Sequence, residues 1–175
     1  MTRLKRFLVI LISITLMSFL QMMVLPRIDF LQALPNLLLI IVMAAGFLFG
    51  KAYGLFVGAL SGLLIDTLST GVPGFHTLIL MWIGFGDGFL SEKMESEIIP
   101  VLYLIILANE ILYHAYIFAF GFLTGVRFSF LPYLTETVIP EILLTLLVFL
   151  PIYGLLLFVS KKWDLKINKG EVKVV

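Results

Sequence analysis

The chain has 175 residues, of which 61% are hydrophobic and 13% charged, with a formal net charge of +1. A water-soluble domain of this size would lack the polar side chains needed to cover its surface, so the composition is that of a polytopic membrane protein. The near-neutral charge, without a basic face interleaved with aromatics, gives no footprint for nucleic acid, and the absence of cysteine excludes disulfides and thiolate metal sites.

Residues 1–6 carry Arg3, Lys5 and Arg6 and form a basic, cytoplasmic amino terminus. The apolar run Phe7–Leu20 that follows has the look of a signal peptide, but Ser18-Phe19-Leu20-Gln21-Met22 is too bulky for a cleavage site. An uncleaved first span is expected. Apolar runs able to cross a ~30 Å hydrocarbon core, upright or tilted, occur six times. They lie near Phe7–Leu25, Pro35–Phe49, Tyr53–Leu68, Phe75–Leu90, Ile98–Leu123 and Ile139–Val159. The expected fold is therefore all-α, with a six-helix transmembrane domain over 7–159 and a basic tail over 160–175.

The second and third runs are joined by almost nothing, and fused they would make a helix of about 48 Å, too long for one crossing. Gly50 and Lys51 supply the break for a hairpin. Through this region glycines recur at Gly46, Gly50, Gly54, Gly58 and Gly62, and Asp66 continues the step. Four residues is close to one turn, so the row carries no side chains along a helix face and drifts about 40° per step. Two helices broken near Gly50 would each hold part of it. This small-xxx-small spacing lets apolar helices approach closely in lipid, either within the chain or toward a partner.

The charge distribution supports six crossings. With the amino terminus inside, the inner side holds Arg3, Lys5, Arg6, Lys51, Lys93, Lys161, Lys162, Lys166, Lys169 and Lys173, against Arg27 and Arg127 outside. Outer loops are expected at Pro26–Leu34, Ser69–Gly74 and Thr124–Thr137, each marked by turn residues. Phe128, Phe130 and Tyr133 suit the outer interface, and Trp163 the inner one. The tail lysines serve as a topology anchor that can also rest on anionic lipid.

Asp66, Asp87, Asn109, Glu110 and His114 fall within or at the edge of apolar runs, where an ionisable group costs about 2.5–3.5 kcal/mol and needs a reason. Glu110 and His114 are four apart, on one helix face. They read as an interhelical polar clasp or a socket for another protein's span, or alternatively as a proton relay. Gly84-Phe85-Gly86-Asp87 matches the GxGD signature of intramembrane aspartyl proteases, with Asp66 as the conceivable second aspartate. Counting residues from the span edges puts the two at different depths, which argues against a dyad. Glu110-Ile111-Leu112-Tyr113-His114 is not HExxH, two histidines are too few for zinc by spacing, and no Walker or dinucleotide motif occurs. No catalytic residue, cofactor or metal ligand is assigned.

Pro35-Asn36-Leu37-Leu38-Leu39, the glycine row ending in Gly62-Leu63-Leu64-Ile65-Asp66, and the glycine loop at Gly71 and Gly74 carry a resemblance. With the length and the basic first residues, the chain is similar throughout to the MreD family of bacterial rod shape-determining proteins. The resemblance implies a non-enzymatic, multi-pass scaffold of the bacterial cytoplasmic membrane that helps cell-wall elongation and peptidoglycan synthesis keep a rod shape. It implies a single-span partner, MreC, alongside MreB, RodA and a penicillin-binding transpeptidase, and leaves a homodimer open. The family is also similar in fold to the substrate-binding S components of energy-coupling-factor vitamin transporters, which supplies the alternative function. In the scaffold reading, glycine-lined grooves receive a partner's helix, and Glu110 or Asn109 sets its register. In the transporter reading, a pocket lies near spans four to six and the Ser69–Gly74 loop, where His76, Thr77, Glu136 and Glu141 are the few polar groups on offer.

Overall fold

A computed structural model of the chain describes residues 2–27, 33–68, 73–94, 99–123 and 129–162. Gly71, Arg127, Phe128, Trp163, Lys166, Lys169 and Lys173 lie outside the described residues. Among the described residues all regular structure is helical. Helix α1 (Thr2–Phe19) is continued by a π stretch, Leu20–Val24, and a 3-10 turn, Leu25–Arg27. Helices α2 (Leu37–Phe49), α3 (Lys51–Leu68), α4 (Phe75–Lys93) and α5 (Ile99–Leu123) follow. Helix α6 runs unbroken over Phe130–Lys162, with a π stretch at Tyr133–Val138. Among the described residues, four segments are long and apolar enough to cross a membrane: Phe7–Arg27, Lys51–Leu68, Ile99–Leu123 and Phe130–Lys162.

The last helix begins well before the expected Ile139, inside what the sequence marks as a loop. The prolines there mislead. Pro132 sits in the first turn, where a missing N–H costs nothing, and Pro140 is the second residue after the π stretch, whose wider turn relieves its clash with the preceding turn.

Helix α2 is the hub. Every residue from Leu37 to Phe49 is buried, and the helix touches α1, α3, α4, α5 and α6. It is apolar all round, as a fully enclosed helix must be, and at about 20 Å it is shorter than a ~30 Å membrane core. A single residue, Gly50, joins it to α3. Its φ of 90° lies in the region that glycine tolerates, so the chain turns back within one residue.

The tightest seam is between α3 and α4, which run antiparallel with backbone against backbone. A methyl on Gly54 would overlap the Gly84 carbonyl and one on Gly58 the Leu80 carbonyl; one on Gly62 would strike Thr77. From the other side, a methyl on Gly84 would meet Gly54, and one on Gly88 would meet Lys51. Gly46 of α2 joins the seam, since a Cβ there would stand 2.8 Å from the Gly84 carbonyl oxygen and 2.9 Å from the Gly88 nitrogen. The groove expected to receive a partner's helix along this row is thus filled by α4 of the same chain. Lys51 and Glu92 close the seam with an exposed ion pair of 3.1 Å.

The outer faces are apolar. Ile12, Trp82, Leu104, Leu147 and Phe158 are all exposed, and Leu147 is 72% accessible, a degree that in water would mark an aggregation site and in lipid is ordinary. The several long apolar helices and this surface together mark a membrane protein.

Candidate functional site

Among the described residues, the main buried polar groups gather at four stations; apart from them, Ser91 of α4 donates to the Phe47 carbonyl of α2 at 2.9 Å, and Ser61 is buried without a partner. The first station is the amino terminus of α2, which is buried and would leave backbone donors orphaned. All are met: Leu37 N–H by the Pro35 carbonyl at 3.0 Å, Leu38 N–H by Gln21 Oε1 at 3.0 Å, Leu39 N–H by Asn36 Oδ1 at 3.2 Å, and Ile40 N–H by the Asn36 carbonyl at 3.3 Å. Asn36 is the N-cap, as its residue type favours. Its own N–H donates to Thr145 Oγ1 of α6 at 2.9 Å. Gln21 lies in the π stretch of α1.

The second station is Asp66. Its carboxylate accepts from His76 N–H and Nδ1, both at 2.9 Å, from Thr77 N–H at 3.1 Å and from Thr77 Oγ1 at 2.6 Å. Those backbone donors belong to the first turn of α4, whose N-cap is Gly74 and therefore has no capping side chain. Asp66 supplies the cap from the neighbouring helix, and its negative charge suits the positive end of the helix dipole.

The third station is Asp87, which accepts from Asn109 Nδ2 at 3.1 and 2.9 Å and ties α4 to α5. Asp66 and Asp87 hold opposite ends of α4: from Thr77 to Asp87 the helix climbs about 15 Å. The aspartyl dyad is excluded by this distance.

The fourth station is the densest. His114 Nε2 lies 3.6 Å from Glu110 Oε2 on its own helix and 3.6 Å from Glu141 Oε2 on α6. His114 Nδ1 is 3.0 Å from the Tyr133 hydroxyl. Glu110 is wholly buried with the Thr145 hydroxyl near its carboxylate, but neither carboxylate oxygen has a hydrogen-bond partner within 3.5 Å; nor has His114 Nε2. The π stretch explains how α6 reaches this point twice. Tyr133 and Glu141 are eight apart, which on a plain α-helix would set them about 80° apart; one residue absorbed by the wider turn brings them to within about 20°.

The structure therefore brings Glu110 and His114 together and adds Glu141. It sends Asn109 to Asp87 and Asp66 to α4, and spends Gly46, Gly54, Gly58 and Gly62 on the α3–α4 seam and Gly50 on the turn. Asn109 and Glu110 are buried, so neither reaches the lipid face to set the register of a docked span as expected. Tyr133, expected as an interface aromatic, turns its hydroxyl inward to His114. Gln21 and Thr145 escaped notice because each is uncharged and flanked on both sides by apolar residues, unlike Asn109 beside Glu110. Only Asn36, directly before an apolar run, carried a legible cap signal.

A cleft of about 590 Å³ opens between α1, α3 and residues near Leu34. Thr15, Ser18, Gln21, Met22, Ile65 and Leu68 are among its lining residues. Its hydroxyls are turned back on their own helix, Thr15 to the Leu11 carbonyl at 2.9 Å and Ser18 to the Ile14 carbonyl at 2.6 Å.

No protein-family model, curated protein or solved structure matches this chain.

Proposed function

We propose that the chain is a non-enzymatic scaffold of the bacterial cell-wall elongation machinery, an MreD-like protein of the cytoplasmic membrane that binds the single-span protein MreC. In this reading it crosses the membrane six times with both termini in the cytoplasm. Consistent with that, neighbouring helices run antiparallel, as follows from the α3–α4 seam, from Asp87–Asn109 together with Phe75–Tyr116, and from His114–Tyr133 together with Tyr103–Phe149.

The observation that carries the scaffold reading is an open cleft on one flank of a backbone-packed spine. Helices α2, α3 and α4 form that spine, α1, α5 and α6 pack around it less closely, and beside α1 a cleft is left at Thr15, Ser18 and Met22. Small hydroxyl residues whose hydrogen bonds are already satisfied allow a second helix to approach closely in lipid. The partner's span is assigned to this cleft in place of the glycine row.

The cleft volume also falls within the ~300–1,000 Å³ range of small-molecule pockets, the one observation favouring an S-component function. Its hydroxyls already spend their donors on Leu11 and Ile14, leaving less to recognise a vitamin, and this favours the scaffold.

The chain has no cysteine, so a single Met22→Cys carries a photocrosslinker cleanly, with Leu147→Cys on α6 as the control. In native membranes, a single-span protein should be captured from Met22 and not from Leu147. Equal capture from both positions, or none from Met22, overturns the reading. A vitamin-sized adduct in native mass spectrometry would transfer support to the S component.

A further inference from the structure

We propose that Glu110, His114 and Glu141 form a binding site for one divalent first-row metal ion, with zinc the best match, that fastens α5 to α6. The site is independent of the scaffold reading. One ligand atom from each of the three residues lies within 4.8 Å of the others. Around a tetrahedral ion with bonds of about 2.1 Å, ligand atoms stand about 3.4 Å apart. The two His114–glutamate separations, both 3.6 Å, already match this edge, so only the two carboxylates need to close on each other.

Three further observations point to an ion. With the Thr145 hydroxyl nearby, both oxygens of the buried Glu110 still lack a hydrogen-bond partner within 3.5 Å, as does Nε2 of His114, and all three are atoms of the kind that bind a metal. Among the described residues, the only ion-pair partner within reach of either glutamate is His114, with no lysine or arginine. Ionised together, two carboxylates in an apolar bundle carry a charge of −2 that a divalent cation cancels.

The histidine is also oriented for the task. In the tautomer whose Nδ1–H donates to the Tyr133 oxygen, the Nε2 lone pair faces both carboxylates, an arrangement that, with the carboxylates ionised, is repulsive until a cation lies between them. The opposite tautomer aims Nε2–H at carboxylates 3.6 Å away, beyond hydrogen-bonding distance. A metal-bound imidazole ordinarily has its other nitrogen held in this way by an outer partner. One imidazole with two carboxylates suits zinc better than copper(I), which seeks sulfur, or calcium, which seeks more oxygens. Of the three ligands Glu141 is the most accessible, its side chain 19% exposed, whereas Glu110 is wholly enclosed.

The test uses the full chain in mild detergent with a streptavidin-binding tag, since a histidine tag would bind metal itself. The protein is stripped with a chelator and given Zn²⁺, and bound metal is measured by mass spectrometry after dialysis. Thermal unfolding is followed with and without Zn²⁺. Wild type should hold one zinc per chain, and free zinc at 100 times Kd should shift its unfolding equilibrium about 100-fold toward the folded state. Glu141→Gln, the least buried and nearly isosteric change, should lose both effects. With Co²⁺ in place of Zn²⁺, wild type should show the intense visible bands of a four-coordinate site, absent in His114→Gln. A wild-type protein that takes up no zinc and melts unchanged overturns the proposal, and needs no variant to do so. Equal zinc uptake by wild type, Glu141→Gln and Glu110→Gln also overturns it.

Discussion

The α3–α4 seam makes a prediction that can be worked from geometry with a matched control. Gly84 and Gly86 lie two residues apart on α4, and both gain the same methyl on changing to alanine. At Gly84 the methyl would overlap the Gly54 carbonyl oxygen and stand 2.6 Å from its carbon and 2.8 Å from Val42 Cγ1. At Gly86 nothing lies within 4 Å. Clearing the carbon at 2.6 Å alone requires α3 to retreat by about 0.8 Å, and the oxygen, closer still, requires more, while α3 is held by Gly58 and Gly62 one and two turns further on. Overpacking costs about 1–3 kcal/mol where side chains can shift, and here the obstacle is backbone, so Gly84→Ala should cost about 3 kcal/mol. Gly86→Ala should be neutral or stabilise by up to about 1 kcal/mol through helix propensity. Reversible unfolding in mixed detergent micelles, with the SDS fraction as denaturant, measures both. Equal stability of Gly84→Ala and wild type would refute the backbone-contact reasoning. The same geometry means that Gly58→Leu disrupts the fold itself, so loss of a partner in that variant would say nothing about docking.

Two further stability changes follow from the buried polar stations, each read by the same unfolding titration. Asp66→Ala removes the acceptor for the first-turn donors of α4 and should cost about 1–2 kcal/mol, with Asp66→Asn intermediate; no loss in either would remove the capping role. Asn109→Leu keeps the volume but strips Asp87 of its amide partner, and should cost about 1–3 kcal/mol. Adding Asp87→Leu to it should cost less than the two single changes summed, and strict additivity would show that the pair is not coupled.

The expected helices and the observed ones coincide closely from Leu37 to Leu123, because long apolar runs and glycine breaks are local signals. The miss at α6 came from prolines that a π turn and a first-turn position absorb, which the sequence gives no way to anticipate. The glycine row was legible as a close-packing face, but which helix would fill it was not. Glu110 and His114 could be paired from their four-residue spacing, whereas Glu141, some thirty residues further along, could not.

The amino-acid sequence by itself determined the class: a cysteine-free, largely apolar chain of membrane helices, hinged at Gly50, with a side-chain-free row where backbones can meet. Only the tertiary structure decided which way each helix faces. The reason is physical. In a soluble protein the polar stripe of a helix marks its outside, but lipid is as apolar as the core, so the enclosed α2 and the largely exposed α6 read alike in composition. The polar residues were the visible exceptions in that uniform background. Their roles as cap, tie or ligand were set by the helix that came to lie beside them.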